Sequence, residues 1–187
     1  MDENNELEVM AEGRFLRLVR RGRWEYAQRP NTKGAVAVVA VTEDQELLLV
    51  EQHRVPLGRA CIELPAGLAG DLDDDPDESF AEAARRELLE ETGFKAEHIE
   101  HLFPAVTSPG LTSESIDLYR ATGLTREHEG GGIDHEDIAV HLVPLSRIDA
   151  WLTEQSEAGL AVDIKVYAAA ALAKQWAQAS DHGGAPA

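Results

Sequence analysis

The chain has 187 residues, 43% of them hydrophobic, which is enough for one compact domain with a sizeable core and too few for two full domains. Its 35 acidic and 17 basic side chains give a net charge of −18, a field that repels nucleic-acid phosphates over much of the surface and argues against nucleic acid as a partner. No run approaches the ~18 apolar residues of a membrane span, the start Met1-Asp2-Glu3-Asn4-Asn5-Glu6 has no signal-like apolar segment, and the single Cys61 excludes an intrachain disulfide, so a soluble cytoplasmic protein without a membrane partner is expected.

Apolar alternation in Phe15-Leu16-Arg17-Leu18-Val19 and the segment Trp24-Glu25-Tyr26-Ala27 predict an N-terminal strand pair joined across the basic turn Arg20-Arg21-Gly22-Arg23. Ala35–Val41 and Glu46–Val50, separated by Thr42-Glu43-Asp44-Gln45, predict a hairpin of two mostly buried strands. Cys61, inside Cys61-Ile62-Glu63-Leu64, reads as a buried strand residue and not as a nucleophile. A helix is expected to begin near Asp75-Pro76-Asp77-Glu78, with Asp75 as cap, Pro76 in the first turn and Glu78 at the capping-box position, and to stop at Gly93. Further strands are expected at Ala60–Leu64, Ile99–Phe103, Ser115–Tyr119 and Ile138–Val143, and helices at Ser146–Gln155 and Val162–Ala179, before a frayed tail from Asp181. This order predicts an α/β (α+β) fold, a mixed sheet covered by helices.

Chemistry concentrates on the helix ending at Gly93. Glu87 and Glu91 are four residues apart and Glu90 is three from Glu87, so one region of its surface presents up to three carboxylates. Such repulsion is relieved by a hard divalent cation such as Mg²⁺ or Mn²⁺, which also suits a substrate bringing phosphate oxygens. Arg86 and Arg85 flank the cluster. Spacing alone leaves a solvated acidic face equally open.

The wider run separates these readings. Glu78, seven residues, then Arg86-Glu87-Leu88-Leu89-Glu90-Glu91-Thr92-Gly93-Phe94 resembles the distal part of the Nudix box. The resemblance implies a Nudix-type α/β/α sandwich with a mixed sheet, in which Glu87, Glu90 and Glu91 bind metal and Arg86 orients them. The box calls for a glycine where Leu72 stands; Gly67 is the candidate instead, with a five-residue insertion within the acidic stretch 68–75.

Within that family the chain is similar to the ADP-ribose and ADP-sugar pyrophosphatases. Val50-Glu51-Gln52-His53-Arg54 and then Cys61-Ile62-Glu63-Leu64-Pro65-Ala66-Gly67-Leu68 resemble that branch's approach to the box, implying a metal-binding Ala66 carbonyl and a pyrophosphate-binding Arg54. Ser108-Pro109-Gly110-Leu111-Thr112-Ser113-Glu114 resembles a loop bordering the distal sugar, with Glu114 as substrate contact. Trp24, Glu25 and Arg29 resemble a strand element that stacks on the base and lends an arginine across a dimer interface. The expected division is an N-terminal β extension over 1–34 for base binding and dimerisation, a Nudix hydrolase domain over 35–180 and a flexible tail over 181–187. In Gly130-Gly131-Gly132-Ile133-Asp134-His135-Glu136-Asp137, Glu136 is the first candidate for general base, with Asp134 second; in relatives that use Asp134 as base, Glu136 binds metal. The implied reaction is Mg²⁺-dependent hydrolysis of ADP-ribose to AMP and ribose 5-phosphate by a homodimer, with GDP- or UDP-sugars, NADH or coenzyme A as alternative substrates. An ADP-ribose-sensing module that does not cleave is the alternative of another class.

Overall fold

Gly34–Ala40 carries no charged side chain, so this strand (β4, after three N-terminal strands) can be covered on both faces. In the computed structural model, which describes residues 6–30, 32–70, 77–132 and 137–182, Ala35 to Ala40 are all buried. Antiparallel β7 (Ala66–Ala69) lies on one side of β4 and parallel β9 (Ser115–Arg126) on the other, with β8 (Phe94–Val106) beyond it, giving the order β7-β4-β9-β8. A second sheet has the order β10-β5-β6-β11, from β5 (Glu46–Arg54), β6 (Arg59–Glu63), β10 (Ile138–Pro144) and β11 (Ala161–Val162).

Strand alternation divides the core in two. Ala35, Ala37 and Val39 pack with Leu47, Leu49, Ile62 and Leu64, and with residues of α2 (Ile148–Glu157) and α3 (Ile164–His182). Val36, Val38 and Ala40 face the other way, onto Ala83, Ala84 and Leu88 of α1 (Phe80–Thr92). The result is a mixed α/β sandwich with helices on its outer sides. A separate antiparallel sheet of β1 (Leu7–Glu12), β2 (Arg17–Arg21) and β3 (Trp24–Gln28) joins the body at the loop before β9, where the Ala27 N–H donates to the Leu111 carbonyl at 2.8 Å and the Ser113 N–H to the Ala27 carbonyl at 3.1 Å.

The structure corrects several local expectations. β4 and β5 do not form a hairpin: they belong to different sheets, and among the described residues their only ladder pairing is the isolated bridge Val41↔Leu47, because each strand is flanked by two other neighbours. The helix cap is Ser79, not Asp75. The Ser79 hydroxyl accepts the Glu82 N–H at 3.2 Å while the Glu82 carboxylate accepts the Ser79 N–H at 3.0 Å, a reciprocal box that holds the Glu82 carboxyl below its ordinary range. Glu78 therefore stands before the helix, and the proposed Asp75 and Pro76 lie outside the described residues. α2 and α3 each begin two residues later than expected, and α3 runs to His182. The rest of the tail, 183–187, is outside the described residues, as are 71–76 of the acidic insertion.

Because the box satisfies two otherwise orphaned N–H groups, Ser79→Ala is expected to cost about 1 kcal/mol. Chemical denaturation should show this as a lower midpoint at unchanged slope.

Candidate active site

The fold aims two of the three clustered glutamates at β7. At about 100° per residue, Glu91 lies about 40° around the helix from Glu87, while Glu90 lies about 60° to the other side. Glu91 is 4% exposed, and its Oε2 accepts the Ala66 N–H at 3.0 Å. Glu87 lies against Gly67 so closely that a Cβ there would stand 1.9 Å from Glu87 Oε1, so this position admits only glycine without displacing the carboxylate. The glycine identified at the far side of the insertion is thus the one the glutamate helix requires.

Arg86 holds the other side of the cluster. Its Nε and Nη2 donate to the two oxygens of Glu78 at 2.9 and 3.1 Å, Nη1 donates to Glu87 at 2.9 Å and Glu90 at 3.1 Å, and Nη2 also reaches the Leu68 carbonyl at 3.1 Å. The hydrogen bonds to Glu78, which is 5% exposed, are the main reason the guanidinium is pushed further up in pKa. Glu90 is turned to this arginine and does not line the cleft. Among the described residues no three acidic, histidine or cysteine side chains converge as a ready metal cluster. The donor set at the cleft, carboxylates of Glu87 and Glu91 beside the Ala66-Gly67 backbone in a cradle that a Cβ would fill, fits a hard divalent cation.

The cleft over this pair has a volume of about 810 Å³, within the usual range for a small-molecule site. Its charged lining mixes carboxylates (Glu63, Glu87, Glu91, Glu114, Asp163) with cations (Arg29, Arg54, Lys165). Arg54 is gripped by buried Glu63, with Nε and Nη2 at 2.6 and 2.7 Å from its oxygens, and this pairing raises the arginine's pKa. Arg29 Nε donates to Glu114 at 3.3 Å. The sequence reading did not single out Glu63, Asp163 or Lys165. Their signals were a carboxylate within an apolar strand, and an Asp two residues before Lys165 that accepts its N–H at 2.7 Å and its Nζ–H at 2.5 Å. Cys61, also on the cleft wall, is buried as expected, and burial pushes its thiol up to about 11.

Trp24 lies elsewhere. Together with Arg21, Tyr26 and residues of the 109–113 loop it borders a second hollow of about 320 Å³, and Trp24 is 56% exposed. The loop from Ser108 connects the two, since Gly110 and Ser113 border the hollow and Glu114 the cleft. Asp134, His135 and Glu136 lie outside the described residues. The segment leading to them is tied to the end of the glutamate helix: the Gly131 N–H donates to the Glu91 carbonyl at 2.9 Å and the Gly132 N–H to the Glu90 carbonyl at 3.1 Å. A Cβ on Gly130 would stand 2.5 Å from the Thr92 backbone.

Two outcomes follow from this geometry. Arg86→Ala, which leaves buried Glu78 without its cation, should cost about 3 kcal/mol in chemical denaturation, and adding Glu78→Gln should recover part of the loss. With its thiol at about 11, Cys61 has about a thousandth of its population as thiolate at pH 8, so iodoacetamide should label the folded protein far more slowly than the unfolded chain.

Comparison with known proteins places this arrangement in a family. The chain is 42% identical over 117 residues to the methanol dehydrogenase activator of Bacillus methanolicus, and 36% identical over 117 residues to the ADP-ribose pyrophosphatase of Bacillus subtilis (strain 168). Each alignment covers 63% of this chain and 60% of the relative, so the chain spans less than two thirds of the length of either. A crystal structure of an ADP compounds hydrolase superposes with a TM-score of 0.70 at 24% identity, covering 96% of this chain and 95% of that one, which supports the same fold. Residues 31–162 match the NUDIX domain, and the chain belongs to the Nudix family.

Proposed function

We propose that this protein hydrolyses the pyrophosphate bond of a nucleoside diphosphate linked to a sugar, with ADP-ribose as the substrate and AMP and ribose 5-phosphate as the products. The observation that carries the reading is the pair Glu87 and Glu91 set against Ala66-Gly67 at the floor of a cleft that also holds Arg29, Arg54 and Lys165. The similarity to an ADP-ribose pyrophosphatase supports the choice of substrate.

Nudix hydrolases generally use divalent metal ions. Here Mg²⁺, with Mn²⁺ able to substitute, would be held by Glu87, Glu91 and the Ala66 carbonyl, with Glu90, which would have to turn from Arg86 toward the cleft, and, in one arrangement, Glu136 as further ligands. The ion would neutralise phosphate charge and lower the pKa of a bound water. The chain's own residues do the rest. Arg86 fixes the glutamate side chains against their mutual repulsion. Glu63 holds one edge of the Arg54 guanidinium, so a fixed cation faces the diphosphate in a protein whose overall field repels it. Glu136 or Asp134, which follow in sequence the glycines bonded to the end of α1, is the carboxylate assigned to take the proton from the attacking water.

In the same reading the N-terminal extension, residues 1–34, which carries the sheet β1–β3, binds the base and makes a homodimer. Exposed Leu7, Val9, Met10, Leu16 and Leu18 on and beside this sheet, next to exposed Trp24, support that role, and light scattering should return twice the monomer mass. None of the helices among the described residues is long and apolar enough to cross a membrane, in keeping with the proposal that the enzyme works in the cytoplasm.

The similarity to a protein named as a dehydrogenase activator favours a second reading, a Nudix module that senses ADP-ribose or acts on a partner without cleaving. A panel of ADP-ribose, GDP- and UDP-sugars, NADH and coenzyme A with Mg²⁺, scored by release of nucleoside monophosphate, separates the two; tight ADP-ribose binding with no product would leave the sensor. Glu91→Gln should lower kcat at least about 100-fold while the fold survives, and near-normal turnover would remove its metal role. Glu136→Gln and Asp134→Asn, measured side by side, should differ, with the true base costing about 10²- to 10⁴-fold.

A further inference from the structure

Arg120 occupies a place where the strand pattern calls for an apolar residue. Ile116 and Leu118 on β9 face the core shared with α3, and alternation puts Arg120 on the same side. Its guanidinium carbon lies 4.3 Å above the ring of Trp176 on α3. Arg120 Nε is shielded from solvent and has no hydrogen-bond acceptor among the described residues. Glu100 is its cross-strand neighbour in the ladder, yet it is exposed and forms no ion pair with Arg120 among the described residues. In a chain of net charge −18, a half-buried arginine with no ion pair to a carboxylate among the described residues is unexpected.

The guanidinium borders a cavity of about 190 Å³. Val41, Ala173 and Ala177 give it apolar walls, and Thr42, Gln45 and Thr122 add polar groups. Gln45 is the described residue other than glycine with positive φ, at 60°, in the turn before β5, where glycine is the usual occupant. Gln45 also lines the cavity. The site is distinct from the hydrolytic cleft: the cleft takes Ala35 and Val36 at the start of β4, whereas the cavity takes Val41 beyond its end, about 17 Å along the strand.

We propose that this cavity binds a small oxyanion with a short apolar body, its charged oxygens on Arg120 and its body against Trp176. A volume of about 190 Å³ suits a ligand of the size of a simple monocarboxylate. A guanidinium stacked on an indole can donate from its outer N–H groups to such a ligand, and Thr42, Gln45 and Thr122 also line the cavity. The proposal does not depend on the substrate assigned above.

The test uses the full chain and three probes, butyrate, benzoate and inorganic phosphate, each against sodium chloride at equal ionic strength. Ligand binding to the native state raises the unfolding temperature in a saturable, concentration-dependent way. We expect such a rise, with binding seen by calorimetry and weakened at least tenfold in Arg120→Gln; a response to the carboxylates or to phosphate identifies which oxyanion is taken. Thr122→Leu, which fills the cavity and keeps Arg120, should lose binding too, and it carries the test if Arg120→Gln does not fold. The proposal is overturned if no probe gives a saturable effect, if both variants bind as the unaltered protein does, or if binding disappears in Arg54→Gln and persists in Arg120→Gln, which would place the anion in the hydrolytic cleft.

Discussion

One guanidinium ties the acidic helix to the strand it faces. Arg86 reaches Glu78 before α1, Glu87 and Glu90 within it, and the Leu68 carbonyl of β7. The carboxylates it gathers would otherwise repel one another at the distances a helix imposes. With the arginine in place, Glu87 and Glu91 turn toward Ala66 and Gly67. The ion pair also sets the entry angle of the helix, since Glu78 stands immediately before the Ser79 cap. Placement of the site and the helix start are therefore one constraint.

That constraint was legible in the sequence because its charged members, Glu78 to Glu91, lie within fourteen residues of a single helix and its approach. Periodicity put the glutamates together, and the box resemblance singled out Glu78 and Arg86. The cap was misread because Asp75-Pro76 is a stronger local signal than Ser79, and only the reciprocal bond to Glu82 decides between them. Gly67 was identified from the motif, but its reason, the 1.9 Å approach to Glu87, is a contact between β7 and α1 that no local pattern encodes.

Pairings that depend on how strands and helices meet were less visible for the same reason. Glu63 as the partner of Arg54, and Lys165 reaching the cleft from the first turn of α3, require two parts of the chain to be brought together by the sheets. The run of buried residues in β4 and β5 correctly indicated central strands. It carried no information on which neighbours they take, and the short turn between them suggested a hairpin that the sheets do not contain.

The separation of β4 from β5 bears on how the chain reaches its native state. Ala35 pairs with Leu68 on one side and Ile116 on the other, so the central strand has no partner close to it in sequence. Loop closure over such spans must precede the contacts that reward it, which makes folding slow for the chain length. During synthesis the apolar stretch from Ala35 to Ala40 emerges well before β9, leaving an aggregation-prone strand waiting for its second edge. The strand that organises the finished molecule is thus its most vulnerable segment while the protein is being made.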